Sequence, residues 1–168
     1  MADSDSREKQ LTMTVLMTPE MVNFSGKVHG GAMLKLLDQV AYACASRYCG
    51  NYVVTLSVDQ VVFRNAVQLG ELVTFLASIN YTGRTSMEIG IKVIAEDPRL
   101  RTCLHAMSSF FTMVAVDKDG KPTPVPALEL QTDVERERFA AAQDRKKLRE
   151  EYEVRHHATR NAPKKDVA

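Results

Sequence analysis

A chain of 168 residues with 45% hydrophobic content suits one domain with a sizeable core, plus a tail. Its formal net charge of +1, from 22 Lys+Arg against 21 Asp+Glu, gives no basic excess to draw nucleic acid or an anionic membrane. No apolar run approaches bilayer-spanning length, and the polar first ten residues lack the basic region and apolar stretch of a signal peptide.

Residues 1–10 are expected to be flexible. Residues 11–17 (LTMTVLM) alternate loosely and predict a first strand. A loop opened by Thr18-Pro19 follows, carrying Asn23 and a His29-Gly30-Gly31 turn into a strongly apolar helix over 30–48, about 28 Å long. On a wheel, Lys35, Asp38, Gln39, Tyr42 and Ser46 share a narrow polar stripe. A helix apolar over the rest of its surface must be wrapped by other elements.

The next segments predict strands. Val54, Leu56 and Val58 alternate with Thr55, Ser57 and Asp59, the period of a half-buried strand. Val73, Phe75, Ala77, Ile79 and Tyr81 line one face over 72–81, and Met87, Ile89, Ile91, Val93 and Ala95 do so over 86–95. Between them Thr82-Gly83-Arg84-Thr85 has the signature of a type II′ hairpin. The run 105–116 reads as a strand buried in mid-sheet, closed by Asp117-Lys118-Asp119-Gly120. Thr132-Asp133-Val134-Glu135 matches a capping box and opens a highly charged helix to about residue 155. The last ten residues are expected to be unstructured. One strand, one long helix and four strands define an α+β layout, with an antiparallel sheet curled around a single helix.

Candidate chemistry concentrates in residues 23–42. Glycines opening a helix leave backbone N–H groups at its positive dipole end, suited to a developing oxyanion. Two turns on, Asp38 stands among Met33, Leu34, Leu37 and Ala41. Partial loss of water there would disfavour its charged form and fit it to act as a general base. The blander reading makes Asp38 a surface residue paired with Lys35 or Gln39, and Asn23 a turn former. His29 is a minor candidate base. Cys44, Cys49 and Cys103 are odd in number, form no CxxC pair and read as reduced thiols of a cytoplasmic protein. No His lies at metal-ligand spacing from Cys or Asp, so no metal is assigned.

The residues Asn23-Phe24-x-Gly26-x-Val28-His29-Gly30-Gly31, followed by Leu37-Asp38, resemble the cytosolic acyl-CoA hydrolase family of hotdog-fold thioesterases. Val53-x-Thr55 through Phe63, Gly70-Glu71 through Val73 and Tyr81-Thr82-Gly83-Arg84-Thr85-Ser86 extend the likeness over roughly residues 10–130. The resemblance implies a hotdog domain at 11–130, followed by a charged helix and tail at 131–168. It implies hydrolysis of fatty acyl-CoA to free acid and coenzyme A, with no cofactor beyond the coenzyme A of the substrate. It also implies that Asn23 and Asp38 form a catalytic pair across a dimer interface, within a trimer of dimers.

Beside that pair, Gly30 and Gly31 N–H groups are the expected oxyanion donors. Arg84, with Gly83, Thr85 and Ser86, is the first choice for the coenzyme A phosphates; Arg64 and Lys92 are weaker choices. Two rival readings remain. One is a non-catalytic acyl-CoA sensor; the other is a hotdog hydratase or dehydratase, from whose His–acid pairing the Asn–Asp pattern departs.

Overall fold

The computed structural model describes residues 7–160, with side chains through residue 156. The expected flexible start and unstructured end fall largely on residues 1–6 and 161–168, outside the described residues. Of the remainder, residues 7–9 lead into the first strand, where the Lys9 carbonyl accepts from the Ile79 N–H at 2.9 Å, and 159–160 close the last helix. The chain forms two compact units, one ending at Glu129 and one starting at Leu130.

In the first unit the order is β1 (Gln10–Leu16), α1 (Gly30–Cys49), β2 (Tyr52–Val58), β3 (Val62–Phe63), β4 (Leu72–Thr82), β5 (Ser86–Asp97) and β6 (Thr102–Val116). A single antiparallel sheet runs β1-β4-β5-β6-β2, with β3 also pairing β6. β3 was not expected; a two-residue strand carries no period to read.

The alternation predicted for β4 and β5 is what builds the core. Val73, Phe75, Ala77 and Ile79 join Met87, Ile89, Ile91 and Val93 on the face beneath α1, all buried. Against them α1 lays Met33, Leu37, Val40, Ala41, Cys44 and Tyr48, the i, i+3, i+4, i+7 spacing of one helix face. Each large apolar side chain taken out of water this way contributes about 2 kcal/mol. The helix ends at Gly50, whose φ of +70° lets its N–H close on the Ser46 carbonyl at 2.8 Å.

α1 is not wrapped all round. Leu34 and Tyr42, at 41% and 39% exposure, stand on the face away from the sheet, with Lys35, Asp38 and Gln39. The expectation for β2 is also inverted. Val53 is buried, whereas Val54, Leu56 and Val58 are 42%, 68% and 44% exposed. Strict alternation fixes two faces but not which one meets the core, and β2 lies at the sheet edge, slipping by one residue between Thr55 and Ser57.

The β4–β5 connection is three residues long, Gly83 to Thr85, rather than two, and Gly83 lacks the positive φ of a type II′ turn. Its N–H donates to the Ser86 carbonyl at 2.8 Å, while the Arg84 carbonyl accepts from Val125 N–H and that of Thr85 from Ala115 N–H. A bulge at Asn80 turns its amide in over Gly90, where no side chain competes for the space. There Asn80 Oδ1 accepts from the Ser78 hydroxyl at 2.9 Å, and Nδ2 donates to buried Glu88 at 3.5 Å.

In the second unit, α2 (Asp133–Arg160) opens on the predicted capping box. Thr132 Oγ1 accepts from Glu135 N–H at 3.2 Å, and the Glu135 carboxylate accepts from Thr132 N–H at 3.1 Å. Ion pairs at helical spacing, such as Arg136–Asp133 at 2.6 Å and Arg155–Glu151 at 3.6 Å, run along it. Among the described residues no helix is long and apolar enough to cross a membrane.

Candidate active site

An open groove of about 340 Å³ lies between the outer face of α1 and the start of β2. Asp38, Gln39 and Tyr42 form its helical side; Tyr52, Val53 and Thr55 form its strand side. The Thr55 hydroxyl donates to Asp38 Oδ1 at 2.6 Å, a short charge-assisted bond that fixes the carboxylate against the strand. Asp38 is exposed, not stripped of water as expected, because no described element of the first unit covers that face of α1.

The sequence pattern alone gives Thr55 no role. The alternation assigned it to the outward parity of β2. In the structure it shares the parity of buried Val53, which points toward the helix.

Asn23 sits in the loop before α1, half-buried, and its side chain organises that loop. Its Oδ1 accepts from Ser25 N–H at 2.9 Å, the Ser25 hydroxyl at 2.7 Å and Lys27 N–H at 3.2 Å. Three donors converging on one atom identify it as the oxygen, so Nδ2 is the end left to donate elsewhere. Gly26, with φ +75°, closes the turn by donating its N–H to the Asn23 carbonyl at 3.0 Å. The turn-forming role foreseen for Asn23 is therefore real, and it occupies only half of the amide. Asn23 and Asp38 share no hydrogen bond within the chain.

His29 is the N-cap of α1, and its Nδ1 accepts from Gly31 N–H at 2.9 Å. That bond requires an unprotonated Nδ1 and takes up one of the two N–H groups expected to hold an oxyanion. Gly30 N–H remains at the helix start, with the Phe63 ring beside its Cα; a Cβ there would touch the ring at 3.4 Å. Asp38 lies about 12 Å further along the helix axis.

The two arginines proposed for phosphate are not brought together. Arg84 is exposed on the β4–β5 hairpin, whose next residue, Thr85, is bonded to Ala115. Arg64 follows β3 and donates its N–H to the Ala106 carbonyl at 2.9 Å. Those anchor points are about 30 Å apart along β6. Within one chain the two side chains serve opposite ends of the sheet. Gly83, Thr85 and Ser86 are half-buried beside Arg84.

An antiparallel sheet curled on one long helix, with an acid on the helix and an asparagine loop before it, defines a hotdog-fold protein. The profile of the thioesterase superfamily matches residues 25–102. The Helicobacter pylori protein VdlD is 51% identical over 147 residues, 88% of this chain and 83% of that protein. A solved structure described as an apo-hexameric acyl-CoA thioesterase superimposes with a TM-score of 0.82 at 34% identity, covering 85% of this chain and 92% of that one. The acyl-CoA hydrolase of Staphylococcus aureus, solved with butyryl coenzyme A and coenzyme A, gives 0.81 at 27% identity over 89% and 92% of the two chains. That enzyme was also solved with an asparagine, an aspartate and a threonine separately replaced by alanine. The chain belongs to the family of hotdog-fold acyl-CoA thioesterases.

Proposed function

We propose that this protein hydrolyses the thioester of fatty acyl-CoA to free fatty acid and coenzyme A, at a site shared by two protomers. The observation that carries the reading is the Asp38 carboxylate, pinned by Thr55 in an open groove. Support also comes from spacing: the three residues replaced in the Staphylococcus aureus enzyme are separated along its chain as Asn23, Asp38 and Thr55 are here.

Asp38 Oδ1 is held by Thr55, which leaves Oδ2 to take a proton from water. The water oxygen attacks the thioester carbonyl carbon, and the carbonyl oxygen becomes an oxyanion. Gly30 N–H and Asn23 Nδ2 of the second protomer are the donors suited to that charge. Loss of one such donor typically costs about 3 kcal/mol of transition-state stabilisation. Collapse breaks the C–S bond, the coenzyme A sulfur leaves as thiolate, and the proton on Asp38 passes to it. The chemistry needs no cofactor beyond the coenzyme A moiety of the substrate.

Assembly of two protomers is part of the reading. Asn23 and Asp38 do not bond within one chain, and β2 offers an unpaired edge bearing Val54, Leu56 and Val58, all exposed. An apolar edge strand is a ready template for a second strand. Pairing there would cover the Asp38 groove and bring the second protomer's Asn23 toward it. Three such dimers would form a hexamer, the state named for one neighbour. Arg84 is assigned to the coenzyme A phosphates, with Gly83, Thr85 and Ser86 shaping the turn that carries it. Buried free thiols at Cys44 and Cys49 fit residence in the cytoplasm.

The test is thiol release from a panel of acyl-CoAs, read with a thiol-reactive dye. Wild-type protein releases thiol, and Asp38→Ala abolishes release while keeping the assembly seen by size-exclusion chromatography. Hydrolysis by Asp38→Ala at near-wild-type rate sinks the assignment. Binding without turnover identifies a sensor, and loss of enoyl absorbance without thiol identifies a hydratase.

A further inference from the structure

The groove that holds Asp38 is also lined, one helical turn toward the C-terminal half of α1, by an aromatic pair. Tyr42 follows Asp38 by one helical turn, and Tyr52 opens β2. Their ring centroids are 5.7 Å apart at an interplanar angle of 65°, an edge-to-face pair. Tyr52 is 62% exposed, so neither the pair nor its hydroxyls are committed to the core. Between acid and rings the walls are Val53 and Val54. Besides Asp38, Gln39 and Thr55 this chain lines the groove with valine and tyrosine and no Lys or Arg, which disfavours the phosphates of coenzyme A and suits a hydrocarbon.

The geometry points to Tyr42 and Tyr52 as the end wall of an acyl subsite that limits the chain length of the substrate. This rests on the hydrolase reading above and deepens it. One helical turn separates Asp38 from Tyr42, about 6 Å along the axis. An extended chain advances about 1.2 Å per backbone bond, a third of the span of one peptide residue, so about five bonds fill that distance. A hexanoyl group attached at a carbonyl beside Asp38 therefore just reaches the rings, and a butyryl group, with about three bonds, stops short of them. Longer chains must displace them. A Tyr pair that only packed at a subunit contact would occupy the same place without setting any length preference.

The decisive measurement is kcat/KM for butyryl-, hexanoyl-, lauroyl- and palmitoyl-CoA, for the wild type, Tyr42→Ala, Tyr52→Ala and the double variant. The wild type is expected to favour the two short chains over palmitoyl by at least about tenfold, given the discrimination a few methylenes provide. Opening the wall should raise palmitoyl-CoA turnover at least about tenfold and leave butyryl-CoA within about twofold. Tyr42→Phe should keep the wild-type profile. An unmoved length profile in Tyr52→Ala, or an equal change at every chain length, overturns the inference while leaving the hydrolase reading intact. Absence of thiol release by the wild type from all four substrates overturns the hydrolase reading itself. Tyr52 is the more exposed of the two, so Tyr52→Ala decides the matter even where Tyr42→Ala does not fold.

Discussion

The Thr55 hydroxyl donates to Asp38 Oδ1 at 2.6 Å, joining the edge strand β2 to the helix that carries the acid. A hydrogen bond to a charged group is worth about 1.5–3 kcal/mol, so the bond can hold the carboxylate in one rotamer. Thr55→Val should lower kcat about 10- to 100-fold with little change in KM, whereas Thr55→Ser, which keeps the hydroxyl, should recover most of the rate. Steady-state kinetics on both variants checks this. A Thr55→Val protein with wild-type kcat would show that the donor does not matter, and a loss confined to Thr55→Ser would point to the methyl instead.

On the proposed mechanism Asn23 combines two jobs in one amide, and they can be pulled apart. Asn23→Asp keeps the oxygen that accepts from Ser25 and Lys27 but has no N–H to offer a substrate. It should retain wild-type thermal stability and lose about 10²–10³ in kcat. Asn23→Ala should lose the rate and also melt earlier, since the loop donors are left without their acceptor. A melting curve beside a rate measurement separates the two contributions.

Much of this was legible in advance, because it depends on local pattern. The core faces of β4 and β5 follow from alternation, α1 from its apolar spacing, and α2 from the Thr132–Glu135 box. What sequence could not carry was tertiary. Alternation in β2 was real, but its sign depends on the strand being at an edge. The Thr55–Asp38 bond joins residues on two elements that no local rule relates. The capping of Gly31 by His29 depends on a rotamer. The separation of Arg84 from Arg64 depends on sheet register, which spacing along the chain does not report.

Gly90 is required by a neighbour rather than by its own backbone. A Cβ there would collide with Asn80 Nδ2, and that amide is already fixed by Ser78 and Glu88. Gly90→Ala should cost about 1–3 kcal/mol through overpacking, a drop of about 3–10 °C in Tm. Combining it with Asn80→Ala should recover part of the loss. A Gly90→Ala protein with unchanged Tm would show that the bulge relaxes freely.

Burial pushes the Cys44 thiol from 9.0 up to about 12, with nearby Arg47 opposing the shift. At pH 8 native protein should therefore titrate only Cys103 rapidly with a thiol-reactive dye, since Cys44 and Cys49 are buried, and all three after denaturation. The unfolded chain ionises Cys44 near the ordinary value, so its neutral thiol favours the folded state below pH 9. That contribution fades as the pH climbs toward 12. Two fast-reacting thiols in native protein would contradict the packing of α1.

Leu56, bare to water at 68% on a strand that has no outer neighbour among the described residues, would on the proposed assembly tie solubility to catalysis. With the proposed shared site, a lone protomer would present both a sticky margin and an idle acid, and mass action would cure the two defects together. Dilution would then silence the protein and endanger it in the same step, and the cell's copy number becomes a determinant of its survival as much as of its output.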